Sequence, residues 1–164
     1  MKKIFWVLFA MMLVLLTSGC GEVDSAGGSG VQKEPEDAIG TNDKPPALML
    51  TIGGEKIRTA RTSYSWGYYD EEEGSMAGVE ASTDSPPALI DTAYAKTAAA
   101  DAEVQLDFEE APSKYEIQAW DEENNVIASY DELDLSQHQG MVIFEIRAYW
   151  EQGSAGYAFA LDIE

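Results

Sequence analysis

Thiols and imidazoles are almost missing from this sequence: 164 residues hold one cysteine, Cys20, and one histidine, His138. A lone cysteine excludes an intrachain disulfide. Zinc centres need several Cys or His ligands, so zinc is excluded too. A Ser-His-Asp arrangement would rest on His138 alone, in "LSQHQG" beside a predicted turn, and no G-x-S-x-G elbow exists. The expectation for His138 is a solvated loop residue. Positive charge is also scarce, with 10 Lys and Arg against 30 Asp and Glu and a net charge of −20. Phosphate contacts need a basic face, so nucleic acid is excluded as a partner, as is a basic patch for anionic headgroups. A phosphate cradle is absent, because "SAGGSG" (25–30) has no strand before it and no helix after it. With so many acids, a pair at glycosidase spacing arises by chance and carries no weight. No enzyme and no cofactor are expected.

Long apolar runs are limited to one. "IFWVLFAMMLVLL", residues 4–16, follows Lys2 and Lys3 and leads into "TSGC". Thirteen apolar residues fall short of the roughly 20 that cross a bilayer, and no basic cluster follows. The layout is that of a secretory signal. "LLTSGC" resembles a bacterial lipobox, with Ser18 and Gly19 before Cys20 and with Thr17 where leucine is usual. The resemblance implies cleavage after Gly19 and lipid on Cys20. The membrane is then a partner through that anchor, and the expected location is the extracytoplasmic face of the cell membrane. One acyl chain binds a bilayer only marginally, so firm anchoring takes the two or three chains of a lipoprotein cysteine. Loss of residues 1–19 leaves 8 basic and 30 acidic residues, a net charge of −22. That acidity favours solubility and self-repulsion, and a monomer is expected; it is equally compatible with a salty or alkaline habitat and with a cationic partner.

Residues 20–46 comprise Cys20 and a Gly, Ser, Pro and acid-rich stretch without periodicity, read as a disordered tether. As a random coil, 21–46 would span roughly 25–30 Å. Residues 47–164 form the domain, where strict alternation recurs. Leu48, Leu50 and Ile52 share one face before "GG" at 53–54, a tight hairpin turn. Val104, Leu106 and Phe108 share another, as do Tyr115, Ile117 and Ala119. "DEENN" turns the chain into "VIASY". "MVIFEIRAYW" sets Val142, Phe144, Ile146, Ala148 and Trp150 against Glu145, Arg147 and Tyr149. Tyr157, Phe159, Leu161 and Ile163 close the pattern. The expected fold is all-β: an antiparallel β-sandwich of immunoglobulin-like size with about seven strands. Only "TAYAKTAAADA" (92–102) suggests a helical turn.

The order "TSYSW … GV … SPPALI … VQLDF … KYEIQAWD … VIFEIRAYWEQGSAGYAFALDIE" resembles a group of small lipoprotein domains from Gram-positive bacteria, over most of residues 46–164. That group carries "GTYCW" and "GVCAD"-like motifs. Ser65 stands at the first cysteine and Glu80 near the second. The resemblance implies a disulfide in the relatives and, without it, a looser loop from Gly67 to Ser85 here. It implies location and fold, not chemistry.

The best remaining binding signal is "SYSWGYYDEEEG", with four aromatics and four carboxylates in residues 63–74. Tyr64 and Trp66 are expected in the core. Tyr68, Tyr69, Asp70 and Glu71, leaving the strand, are the candidate binding residues for a sugar, peptide or cationic group. An EF-hand-like spacing of Asp121, Glu123, Asn125, Ser129 and Glu132 lacks the glycine and flanking helices of a calcium loop, so no metal site is assigned. The expected role is a binding or interaction module with an unidentified protein or cell-wall ligand. The alternatives are an accessory subunit docking on a membrane complex, and a calcium-binding domain.

Overall fold

The computed structural model describes residues 40–164. The stretch expected to be a signal sequence, Cys20, and most of the stretch expected to be a tether lie outside the described residues. Among the described residues, ten strands form two sheets that pack face to face. The smaller sheet joins β1 (Leu48–Ile52), β2 (Glu55–Arg58) and β6 (Val104–Phe108) in the order β2-β1-β6. The larger sheet runs β4 (Ser75–Ala81), β3 (Ala60–Asp70), β10 (Gly153–Ile163), β9 (Gly140–Trp150), β7 (Lys114–Trp120), β8 (Val126–Tyr130). β5 (Lys96–Ala98) pairs with β10 in parallel, and every other pairing is antiparallel. The sandwich expected from the alternation is therefore present. Its strands divide seven and three, instead of about seven in all.

The expected inward residues meet in one core, except Tyr115, which is exposed. Leu48, Leu50 and Ile52 face Ile117, Phe144, Ile146, Tyr157, Phe159 and Leu161, all buried. A fully buried aliphatic or aromatic side chain contributes about 1.5–3 kcal/mol, which is why the alternation persists through the long strands. Gly53 and Gly54 both take positive φ (55° and 86°) in a two-residue turn, as the hairpin between β1 and β2 requires. Trp66 is 4 % exposed and packs edge-on to Trp150, with ring centroids 5.6 Å apart.

Three expectations are corrected. First, the tether ends before residue 46. Pro45 and Pro46 are buried, and carbonyls in this stretch are gathered by three side chains. Trp66 Nε1 donates to Asn42 O at 3.0 Å, Arg61 to Pro45 O at 2.6 Å, and the Tyr157 hydroxyl to Pro46 O. Burial pushes the Tyr157 phenol up to about 12, so it stays a donor. Second, Gly67–Ser85 is not a loose loop. β3 runs on to Asp70, and β4 pairs with it from Asp70↔Ser75 to Tyr64↔Ala81. Third, β9 is buried on both faces: Ile143 and Glu145 lie beneath the segment Thr83–Ala95, whose short helix α1 (Pro86–Leu89) packs on β9 and β3. Alternation marks which side a residue faces, but a strap crossing the outer side buries polar phases as well. The "TAYAKTAAADA" stretch holds a 3₁₀ turn at Thr92–Tyr94 and β5.

His138 is not a solvated loop residue either. It stands half-buried, edge-on to Tyr130 (5.4 Å) and Phe144 (5.1 Å). Desolvation lowers its pKa from 6.5 and outweighs the opposing pull of Asp134. The unfolded chain then binds the proton more readily than the folded one. Stability is fully present above about pH 6.5 and declines as the pH falls below it. Melting temperatures of the protein and of His138→Gln, followed downward through that pH, should converge as the wild type loses its advantage. Parallel curves would show that the ring is insensitive to its packing.

Candidate functional site

The structure does not bring the four residues singled out at the end of "SYSW" together on one face. Consecutive strand residues point to opposite faces. Tyr68 therefore lies on the Trp66 side and is half-buried, whereas Tyr69 lies on the other side and is 36 % exposed. Asp70 shapes the turn: its Oδ1 accepts the N–H groups of Glu72 (2.9 Å) and Glu73 (3.1 Å). Tyr69 and Glu71 are exposed, and Tyr68 and Asp70 are half-buried. This tip also meets the first described residue, since Tyr69 N–H donates to Gly40 O at 3.3 Å.

The chemistry expected there, aromatic rings beside carboxylates, is assembled elsewhere. A groove of about 700 Å³ runs along β6. One wall is β6 itself; the other is built from Pro112, Tyr115 and Leu133. Phe108 and Tyr115 form an aromatic pair with centroids 6.0 Å apart, and Tyr115 is 37 % exposed. Glu103, Asp131 and Glu132 supply the charge, and no lysine or arginine lines the groove. Lys114, next in sequence to Tyr115, is turned to the other face, its Nζ 4.5 Å from the centre of the Tyr149 ring.

Among the described residues, β6 is also the edge of its sheet, with a partner strand on one side only. Its register shows which backbone groups are left open. Glu103 O accepts from Gly53 N–H, and Glu109 N–H donates to Ala47 O, so the odd-numbered residues bond towards β1. In an antiparallel strand the alternate residues point the other way. Val104, Leu106 and Phe108 thus direct their N–H and C=O groups along the open edge. Such a row is a template for another strand. Sequence alternation placed these three side chains inward correctly. It could not show that β6 ends a sheet, nor that residues 131–133 lie opposite.

Among the described residues, no group of three or more His, Cys, Asp or Glu is arranged to hold a metal ion. The EF-hand-like set disperses: Asp121 is engaged by the backbone and side-chain N–H groups of Asn125, Ser129 is on β8, and Glu132 borders the groove. The Asn125 side chain, ahead of its backbone N–H, holds the Asp121 carboxyl below the usual range.

Scans against protein-family models, curated proteins and solved structures find no match to this chain. The class is therefore defined by the fold and groove alone: an all-β sandwich with an acidic, aromatic-walled groove along an open strand edge.

Proposed function

We propose that this chain is a lipid-anchored module on the extracytoplasmic face of the cell membrane, and that it binds an extended cationic segment of a partner polypeptide in the β6 groove. The observation that supports the binding reading is the coincidence of an open strand edge with an apolar, acid-rimmed wall. Strand addition supplies main-chain hydrogen bonds, and alternate side chains find the aromatic wall and the carboxylates. Residues 40–164 hold 25 acids and seven Lys and Arg, so the field of the whole domain also draws a cation in. A second copy of this chain is a poor occupant, because two acidic rims would face each other.

The anchor rests on the lipobox-like sequence. Cys20→Ser should leave unprocessed precursor or release protein into the medium, read by fractionation and mass of the N-terminus. Normal processing and full membrane retention of that variant would remove the lipoprotein reading without touching the groove. The accessory-subunit reading has its own support: Ile127 and Met141 are exposed together near the β7–β8 turn. It predicts a docking face there and no peptide binding along β6.

A further inference from the structure

We propose a second site of opposite charge preference: the pocket beneath the Thr83–Ala95 strap binds a small ligand with one anionic group, carboxylate or phosphate, on an apolar body. The pocket is about 320 Å³, lies between the strap and the outer face of β10, and is lined by residues of β2, the start of β3 and β5. Its apolar surface comes from Ile57, Leu89 and the small side chains Ala158 and Ala160. Small side chains on β10 leave room that larger ones would fill.

Cations are rare in this domain, and their placement is uneven. Residues 47–164 contain six Lys and Arg, and four of them, Lys56, Arg58, Arg61 and Lys96, belong to β2, β3 and β5. Two line this pocket. Lys96 is paired with Glu55 at 2.7 Å. Arg58 makes no side-chain hydrogen bond or ion pair with any described residue. A guanidinium without a partner offers a planar fork that fits a carboxylate or phosphate. The one acid lining the pocket, Asp91, is engaged: its Oδ1 accepts Ala93 N–H at 3.0 Å. Tyr94 stands at the rim, 82 % exposed, the most exposed of the large apolar side chains. An aromatic ring that lines the same pocket as such an arginine can cover a flat ligand whose charge the arginine holds.

Ala60 lines the pocket, whereas Tyr69, at the other end of the same strand, bonds to Gly40. Nine residues of extended chain separate them by roughly 30 Å. It is independent of the β6 groove, which holds no cation and prefers the opposite charge.

The probes are benzoate, phenyl phosphate and the neutral isostere benzamide, added to isotopically labelled protein and followed by NMR. Fragments of this size reach affinities on the order of millimolar. Saturable shifts of the Arg58 Nε–H and Tyr94 signals with benzoate or phenyl phosphate, and none with benzamide, are the expected result. Which anion binds more tightly identifies the carboxylate or phosphate source. Arg58→Gln should weaken binding about tenfold or more while leaving the melting temperature unchanged, as for one lost charge-assisted contact. Tyr94→Ala should weaken both anions alike. Equal shifts with benzamide, shifts that map elsewhere, or an Arg58→Gln protein that binds as before would overturn the proposal.

Discussion

Gly156→Ala should destabilise the protein by about 3 kcal/mol, although alanine in a strand ordinarily gains up to about 1 kcal/mol over glycine. The reason lies on the outer face of the large sheet. Thr62 of β3 donates to Glu145 Oε1 of β9 at 2.7 Å, and both residues are buried, Glu145 to 6 % exposure. β10 runs between those two strands. The bond can reach across it only because Gly156 has no side chain. A Cβ there would collide with Thr62 Oγ1 and lie 2.6 Å from Glu145 Oε1. A bulge in the β3–β10 register between Ala155 and Tyr157 aims Thr62 over this gap. Alanine would part the pair and leave a buried carboxyl group without its donor. A double-mutant cycle separates this cause from general crowding. Thr62→Ala alone should cost about 2 kcal/mol, the loss of a donor to a buried acid. Gly156→Ala in that background should then cost much less than in the wild type. Additive losses in chemical denaturation would mean that the clash, and not the lost hydrogen bond, sets the penalty.

Paired cysteines at Ser65 and Glu80 should move stability the other way. The two residues are direct cross-strand partners on β3 and β4, with Ser65 Oγ 3.4 Å from Glu80 Oε1. Gly67 N–H donates away from β4, to Gln152 O, at 2.8 Å. Ser65 has the same parity, so Ser65↔Glu80 is a non-hydrogen-bonded pair. In such pairs the Cα atoms approach to about 4.5 Å, within the range a disulfide spans. A loop of about 15 residues closed this way stabilises by about 3 kcal/mol. For a domain of this size that is a rise of roughly 10–15 °C in Tm. The oxidised Ser65→Cys/Glu80→Cys protein should show the rise, and dithiothreitol should abolish it. A bridge that forms without raising Tm would mean that the hairpin is already ordered in the unfolded ensemble. The same register explains why the hairpin is not loose without a bridge between Ser65 and Glu80: the β3–β4 ladder and the Asp70 turn hold it.

Much of the fold was legible in the residues themselves. Period-two alternation located β1, β6, β7, β9 and β10 and sorted their inward side chains, because one face of each strand meets the core. Glu145 and Ile143 escaped it, since their burial comes from a strap that is remote in sequence. The candidate site was legible as chemistry but not as place. "YYDEEEG" has the aromatics and acids of a cation site, yet strand alternation sends Tyr68 and Tyr69 to opposite faces. Phe108, Tyr115, Glu103, Asp131 and Glu132 carry the same chemistry. They are separated in sequence and joined only by the order of strands, which alternation does not encode. Arg58 and Tyr94 gave no signal for the same reason.

Whether β6 takes a partner strand is tested most directly at its backbone. The probe is a capped hexapeptide of alternating lysine and valine, with a serine–valine peptide as the uncharged control. Amide hydrogen exchange of the protein is then compared with and without each peptide. Slowed exchange at Val104, Leu106 and Phe108 with the lysine peptide alone, weakened by salt and lost when Glu103, Asp131 and Glu132 are replaced by glutamine, is the predicted result. Unchanged exchange at those three amides with saturating peptide, or protection that appears instead at Ile127 and Met141, would contradict it.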